Sequence, residues 1–356
     1  MSRIQKIVAK LPEFHIDAML VTSRPGELYT FNCNGEAYGV VSPKGACFIT
    51  DSRYTEVAQE SVKDAEVIIV DGQRNYAACI QSFIDAHGIK TLGIEDGYMS
   101  LGQYNYLKDN LKGVELCYAN DLIVGLRGSK DEEELALMLE AQRITDEAFT
   151  AILSYIKPGM TEAQIAAQLV FEQMARGAQR MSFNPIVASG PNGSRPHAIP
   201  SMRQVQKGDL VTMDFGCVYK GYCSDMTRTV AIGQVSAEQE KIYYTVLAAQ
   251  KAGMAVSKAG VLGCDIHNAA VKVIDDAGYV GLMGHGYGHS LGIEVHEAPN
   301  ANSRGTTPMP VGAMVSAEPG IYVPGKYGVR IEDCVRMLDG GCMSITKSPK
   351  EELIIL

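Results

Sequence analysis

Short apolar runs alternate with amphipathic stretches over roughly the first third of the chain. The apolar runs predict buried strands at Ala18–Thr22, Gly45–Thr50 and Glu66–Val70. Between and after them, apolar residues recur at helical spacing and predict helices over Tyr76–His87 and Leu101–Leu111. Strands and helices in alternation are typical of an α/β layer around a largely internal sheet.

A polar segment, Gly128–Glu134, opens a long helical pattern in the next part of the chain. Ser129 is the expected N-cap, because its hydroxyl can accept a backbone N–H bond and acidic residues follow in the first turn. The apolar positions continue through Leu153, and Pro158-Gly159 then ends the helix. A second helix is expected over about Thr161–Arg176.

From about residue 182 the chain becomes rich in glycine and in β-prone residues, and the polar residues that could carry out chemistry concentrate there. At roughly 150 residues per domain, a chain of 356 residues predicts two or three domains. We place the boundary near Leu126. This gives one domain over residues 1–126 and a second over residues 127–356.

The composition excludes several classes of protein. The chain has 32 Lys and Arg against 41 Asp and Glu, a net charge of −9, and no basic stripe, so nucleic acid is not an expected partner. No apolar run approaches the ~18 residues of a membrane helix, and the first residues lack the apolar core of a signal peptide. The nine Cys form no Cys-x-x-Cys pair, which is typical of reduced thiols. We therefore expect a cytoplasmic protein without membrane contact.

Two carboxylates lie on a predicted hairpin over residues 210–225. If Tyr219-Lys220 form the centre of the turn, Asp214 lies directly opposite Asp225, with Cβ atoms about 4.5–5.5 Å apart. Two carboxylates at this distance repel and raise each other's pKa, and they stay ionised if a cation lies between them. A two-metal site is one such arrangement. Solvated residues at a strand end are the alternative.

A second hairpin repeats this arrangement. Val315–Val323 predicts a strand and Gly328–Asp333 its return, and folding about Gly325 places Glu318 opposite Glu332. Burying an unpaired carboxylate in such apolar strands is costly. Either a metal ion or a buried salt bridge would offset that cost.

Between the two hairpins lies a glycine-rich segment that contains His285 and His289 and is followed by His296. Neutral imidazole is a good ligand for Mn, Fe, Co or Zn. Taken singly, each of these residues would be an ordinary hydrogen-bonded histidine, His197 a loop residue and Arg330 a surface or paired arginine. Two carboxylate hairpins flanking three histidines favour a metal site.

At these residues the chain resembles the pita-bread metallopeptidases, a family that includes methionine aminopeptidase, Xaa-Pro dipeptidase (prolidase) and aminopeptidase P. The resemblance covers roughly residues 127–356. It rests on the motifs Met213–Gly216, Ser224–Thr229, Gly288–His289 with Val295–Glu297, Glu318–Gly320, and Val329–Asp333.

The resemblance implies an α+β protein in which a pita-bread (creatinase/aminopeptidase) domain over residues 127–356 follows a smaller α/β creatinase-like domain over residues 1–126. Asp51-Ser52-Arg53-Tyr54 fits the pattern of that amino-terminal domain. Methionine aminopeptidases typically lack this domain. The resemblance therefore favours the proline-specific branch, whose substrates are short peptides with proline at the second position, and it implies a homodimer.

The family's pattern also implies two divalent metal ions, with Mn expected first and Co, Zn or Fe as alternatives. His289 rather than His285 is the expected ligand, because the ligand histidine of the family lies seven residues before the Val-His-Glu histidine, and 296 − 7 = 289. The implied ligands are Asp214, Asp225, His289, Glu318 and Glu332.

Roles follow from the same resemblance. A metal-bridging hydroxide would attack the carbonyl before proline, with Glu318 as proton shuttle. His296 would stabilise the oxyanion and His197 would orient the substrate. His285 and Arg330 would hold carboxylates or substrate in place.

Asn300 stands where prolidases often carry an arginine that can meet the carboxylate of a dipeptide, which favours longer peptides as substrates. Three alternatives remain: a methionine aminopeptidase-like exopeptidase, a metal-free creatinase-like hydrolase, and a catalytically silent binding protein. The five intact ligand positions argue against the last two.

Overall fold

One six-stranded sheet organises the first unit, Met1–Arg127, of the computed structural model, which describes residues 1–356. Its strands are β1 (Ala18–Val21), β2 (Tyr38–Ser42), β3 (Gly45–Thr50), β4 (Glu66–Ile69), β5 (Thr91–Ile94) and β6 (Glu115–Tyr118). They lie in the order β4-β3-β2-β1-β5-β6, in which β2 is antiparallel to both neighbours and the other pairs are parallel. The helices are α1 (Arg3–Lys10), α2 (Arg24–Phe31), α3 (Thr55–Ser61), α4 (Tyr76–His87), α5 (Leu101–Asn110) and α6 (Asn120–Arg127), with a 3-10 turn at Leu11–Phe14.

The α/β layer predicted for this part of the chain is confirmed. Every residue of β1 is buried, as expected for an apolar run at the centre of a sheet. Helix α4 begins after Asn75, whose side chain accepts the N–H of Ala78, and it ends at Gly88, where φ is 69°. That left-handed position favours glycine, so the helix ends where the sequence predicts.

The second unit, Gly128–Leu356, combines four helices with thirteen strands. The helices are α7 (Glu132–Tyr155), α8 (Glu162–Ala175), α9 (Ala237–Val256) and α10 (Gly263–Asp276), with a 3-10 helix at Gly190–Ser194. The strands are β7 (Arg180–Met181), β8 (Ile186–Ser189), β9 (Leu210–Phe215), β10 (Cys217–Tyr219), β11 (Tyr222–Cys223), β12 (Met226–Ala231), β13 (Gly288–Ser290), β14 (Glu297–Ala301), β15 (Met314–Ala317), β16 (Gly320–Val323), β17 (Tyr327–Arg330), β18 (Asp333–Leu338) and β19 (Gly341–Ser344).

Antiparallel sheets and two helix pairs form this unit. The sheets have the strand orders β12-β9-β8, β11-β10-β7, β14-β13-β15-β18-β19 and β16-β17. Helix α7 packs on α8, and α9 packs on α10. One apolar core gathers around Phe149 and Met213, and another around Tyr243 and Val315. None of the helices in the whole chain combines the length and the apolar character needed to cross a bilayer.

The amino-terminal cap of α7 corrects one prediction. Asp131, not Ser129, is the N-cap: its side chain accepts the N–H of Glu134, and the side chain of Glu134 accepts the N–H of Asp131 in return. This reciprocal pair satisfies two N–H groups, whereas a single serine satisfies one. The hydroxyl of Ser129 instead donates to the carbonyl of Val311 at 2.6 Å.

Candidate metal centre

The hairpin that carries Asp214 and Asp225 turns one residue later than predicted. Tyr219 pairs with Tyr222, so Lys220 and Gly221 form the turn, with φ of 45° and 86°. A two-residue turn with positive φ at both positions matches the right-handed twist of the strands. Glycine at the second position was the signal in the sequence, and the prediction centred on Tyr219-Lys220 missed it.

The later turn changes the partner of Asp214. It pairs with Thr227 across β9 and β12, so the predicted direct pairing with Asp225 is wrong by two residues. Side chains alternate between the two faces of a strand with a period of two. A slip of two residues therefore keeps Asp225 on the face of Asp214, diagonal to it, and both carboxylates line one cavity.

The register predicted for the second hairpin is confirmed. Gly320 pairs with Arg330, and the neighbouring ladder pairs Ala317 with Asp333. The pairing of β15 with β18 and that of β16 with β17 follow the same residue offset, so one register runs through both. Glu318 and Glu332 therefore lie opposite each other between them.

His289, on β13, lies beside the carboxylates of both hairpins. Its Nε2 atom lies 3.3 Å from Oε1 of Glu318 and 3.7 Å from Oδ2 of Asp225. The preceding Gly288 allows this approach, since a Cβ atom there would lie 1.8 Å from the carbonyl oxygen of Ser316. The Ser316 hydroxyl accepts the backbone N–H of His289 and donates to Glu318.

A cavity of about 580 Å³ opens over these groups. It brings together all nine residues singled out from the sequence. They are His197, Asp214, Asp225, His285, His289, His296, Glu318, Arg330 and Glu332.

Three carboxylate oxygens of the cluster are buried and have no hydrogen-bond partner: Oδ1 of Asp214, Oδ1 of Asp225 and Oε1 of Glu332. Leaving such atoms unpaired is costly, and a divalent cation would satisfy them. Ligand atoms of Asp225, His289 and Glu332 all lie within 4.8 Å of one another. The donor set of carboxylates and one imidazole fits Mn, Fe, Co or Zn.

The carboxylates differ in their electrostatic environment. Burial and the neighbouring acidic groups raise the pKa of Asp225 and of Glu332 well above the usual range. Burial also acts to raise the pKa of Glu318, but the hydrogen bond and charge of His289 outweigh it and lower that pKa to about 2. Glu318 is therefore the carboxylate that stays ionised most readily.

Arg330 lies behind the carboxylates and is itself buried. Its Nη2 donates to Oδ2 of Asp214 at 2.5 Å, its Nη1 to the hydroxyl of Tyr322 at 2.7 Å, and its Nε to the hydroxyl of Thr227 at 3.0 Å. The Tyr322 hydroxyl also lies 2.9 Å from Nε2 of His285. This network fixes the orientation of Asp214.

Thr227 and Tyr322 are two residues that the sequence reasoning missed. Thr227 accepts from Arg330 and donates to Oε2 of Glu332 at 2.8 Å, so one hydroxyl joins the two hairpins. Thr227 stands within a motif that was recognised, whereas a tyrosine in an apolar strand carries no local signal of its partners.

His197 and His296 are exposed at the cavity, unlike the cluster beneath them. The ring of His296 lies 4.2 Å from that of His289, centroid to centroid. Both histidines can therefore face a bound molecule without displacing a carboxylate.

Comparison with known proteins agrees with this geometry. Residues 136–339 match metallopeptidase family M24, and residues 3–128 match the Creatinase/Prolidase N-terminal domain. The chain belongs to metallopeptidase family M24. The predicted architecture, a creatinase-like domain followed by a pita-bread domain, is thereby confirmed.

Several M24 relatives match over nearly their whole length. An uncharacterized peptidase of Bacillus subtilis is 40% identical over 356 residues, covering 99% of this chain and 100% of the relative. The structure of an Xaa-Pro dipeptidase from Bacillus anthracis superposes with a TM-score of 0.95 at 38% identity, covering 99% of each chain. An X-Pro aminopeptidase from Thermotoga maritima gives 0.92 at 33% identity, covering 98% of this chain and 100% of that one.

Proposed function

We propose that this M24 peptidase is a dinuclear-metal exopeptidase that removes an N-terminal residue preceding proline. One observation carries the proposal: five potential ligands converge in a cavity, and three of their buried oxygens lack a partner. Similar chains named Xaa-Pro dipeptidase and X-Pro aminopeptidase support the choice of substrate.

The ligands would be Asp214, Asp225, His289, Glu318 and Glu332. When bound, divalent ions supply Lewis acidity that polarises a carbonyl and lowers the pKa of a water molecule toward neutrality. Mn is our first expectation, with Co, Zn or Fe as alternatives. Arg330 holds Asp214 in a fixed orientation, and Thr227 does the same for Glu332, so these carboxylates need not reorganise.

The chain's own groups would move the protons. Glu318, ionised beside His289, accepts a proton from the attacking water and then donates it to the departing nitrogen. His296 donates a hydrogen bond to the oxyanion that develops on the substrate carbonyl. His197, exposed on the cavity wall, orients the substrate near the leaving nitrogen.

Apolar residues on the cavity wall suit a pyrrolidine ring, among them Phe183, Ile199 and Val295. Arg330 is the only Lys or Arg that lines the cavity, and it is bound to Asp214. Asn300 lines the wall as well. Because no unpaired cation of this lining is available for a free carboxylate, we favour Xaa-Pro peptides longer than dipeptides.

The proposal includes three further expectations. The catalytic domain comprises residues 127–356 and the amino-terminal domain residues 1–126. The protein acts as a homodimer, and it acts in the cytoplasm on short peptides.

A hydrolysis panel tests the function. Xaa-Pro dipeptides, Xaa-Pro tripeptides and Met-Ala peptides are each offered with Mn²⁺, Co²⁺ or Zn²⁺. We expect the tripeptides with proline second to be cleaved fastest. Preferred cleavage of Met-Ala would favour a methionine aminopeptidase-like enzyme, and tight binding without cleavage would favour a silent binding protein.

A further inference from the structure

One buried carboxylate, Glu162, holds both ends of the segment that carries His197. Glu162 is fully buried at the first position of α8. Its Oε1 accepts the backbone N–H and the hydroxyl of Ser189, each at 2.7 Å. Its Oε2 accepts the backbone N–H of Ser201 at 3.0 Å and the Ser201 hydroxyl at 2.6 Å. Residues 189–201 are therefore fastened at their first and last positions by the same side chain.

A third partner closes this arrangement. The side-chain amide of Asn192 donates to both oxygens of Glu162, at 3.1 and 3.0 Å. Only a carboxylate can accept at both oxygens from so many donors. Burial acts to raise the pKa of Glu162, but the bonds from Ser201 and Ser189 outweigh it and hold that pKa below its usual value. The ionised carboxylate of Glu162 is thus the form that matches this set of donors.

The same segment is tied to the metal cluster at its middle. Nη1 of Arg330, the residue that binds Asp214, donates to the carbonyl of Pro196 at 3.2 Å. The imidazole of the next residue, His197, makes no hydrogen bond or ion pair of its own. Its position over the cavity is therefore set by the backbone of the segment, and that backbone is set by its anchors.

We propose that Glu162 is a positioning residue that places His197 for substrate binding by fastening both ends of segment 189–201. This inference rests on the proposed function for the role of His197. Glu162 touches neither the metal ligands nor the cavity, so it acts on the substrate only through the segment.

The test variant is Glu162→Gln, which keeps the shape of the side chain but turns an N–H₂ group toward the donors of Ser189 or Ser201. We expect kcat/KM for an Xaa-Pro tripeptide to fall at least tenfold. Glu172→Gln is the matched control, because Glu172 lies on the same helix and pairs only with Gln168 and Arg176. It should stay within twofold of the parent.

A double-mutant cycle separates positioning from general damage. In a His197→Ala background, Glu162→Gln should lower kcat/KM by less than twofold, because the residue that it positions is already gone. An equal loss in both backgrounds would overturn the proposal. If Glu162→Gln does not fold, Ser201→Ala replaces it in the cycle, since it removes one hydroxyl donor and leaves the backbone bond, with the same two outcomes.

Hydrogen exchange provides a readout that does not depend on activity. In the metal-free protein, the hydrogen-bonded amides of Arg195, Ala198 and Ser201 should exchange at least tenfold faster in Glu162→Gln than in the parent or in Glu172→Gln. Unchanged exchange overturns the proposal. If the parent cleaves no proline peptide, the proposed function fails, while the exchange measurement still decides whether Glu162 fastens the segment.

Discussion

At the scale of single residues, neighbouring carboxylates are given different roles by their surroundings. Glu318 lies against His289 and is held ionised, whereas burial and neighbouring carboxylates raise the pKa of Asp225 and of Glu332. An ionised carboxylate is a proton acceptor, and crowded carboxylates need a cation. Environment, not residue type, thus separates the proposed proton shuttle from the carboxylates that we propose only as metal ligands.

Glu318→Ala should abolish hydrolysis of a Xaa-Pro peptide, because it removes a residue that we propose both as a metal ligand and as the proton acceptor. Initial rates on a tripeptide measure the loss, and circular dichroism checks that the fold is retained. Activity within tenfold of the parent would remove Glu318 from the proton transfer.

His296→Ala should reduce kcat by about 10²-fold or more, as loss of an oxyanion donor commonly does. The exposed position of His296 makes a large effect on stability unexpected. Steady-state kinetics beside a thermal melt separates the two effects. An unchanged rate would assign His296 a purely structural role.

At the scale of elements, local signals decide how far the sequence predicts the fold. Helix α4 was predicted to the residue, because helical spacing and the terminal Gly88 agree. The cap of α7 was misplaced, since Ser129 and Asp131 are both good caps and only the reciprocal bond with Glu134 decides between them. Tyr322 was missed, because its hydroxyl bonds to Arg330 on the neighbouring strand and to His285 in a loop, and nothing in an apolar strand indicates either partner.

The candidate site was predictable for a different reason. Its acidic residues lie on two hairpins, and pairing within a hairpin follows from where the turn falls. The second hairpin was placed correctly about Gly325, whereas the register of the first was wrong because the predicted turn left out Gly221. The wrong register of the first hairpin and the correct register of the second therefore both depend on which residues were assigned to the turn.

The strained turn position gives a prediction for stability. Lys220 has φ of 45°, which asparagine adopts more readily than lysine. Lys220→Asn should raise the free energy of unfolding by about 0.5–1 kcal/mol, measured by urea denaturation. Lys326→Asn, in the turn of the second hairpin where Gly325 carries the positive φ, should leave stability unchanged. A loss on Lys220→Asn would contradict the turn assignment.

At the scale of the whole molecule, the two units should respond to different variables. The first unit buries Glu27, and its pKa is raised by burial to about 7 even though it accepts the N–H groups of Gly35 and Ala37. The second unit contains crowded carboxylates with unpaired oxygens. Protonation of Glu27 should therefore affect the stability of the first unit, and binding of divalent metal that of the second.

The first unit should lose stability as pH rises from about 4.5 to 7. A carboxyl whose pKa is raised on folding stabilises the folded state below its unfolded value of 4.5, and that contribution is lost through the folded value of about 7. The difference between these two pKa values corresponds to about 3 kcal/mol in the free energy of unfolding. Hydrogen exchange of β1 and β5 across this range measures the loss, and Glu27→Gln should reduce the pH dependence to the part contributed by Glu95, whose pKa is also raised by burial. A parent with a flat profile would contradict this.

Removing metal should lower the stability of the second unit. A ligand present at about 100 times its dissociation constant stabilises by about 2.7 kcal/mol, which for a unit of this size is roughly 5–10 °C in melting temperature. Calorimetry with Mn²⁺ and with EDTA gives the difference. Asp225→Asn should abolish the increment, and a variant that keeps it would exclude Asp225 as a ligand.

The face shared by Asp214 and Asp225 has a consequence for how such sequences can diverge. Asp214 pairs with Thr227, two residues beyond Asp225, and the two carboxylates still share a face because side-chain direction in a strand repeats every two residues. One residue gained or lost in a single strand would instead turn one acid away from its partner, unless a bulge absorbed the change. Related sequences should therefore differ in the length of a strand of this hairpin by an even number of residues. Relatives that differ by an odd number should contain a β-bulge or should have lost the activity.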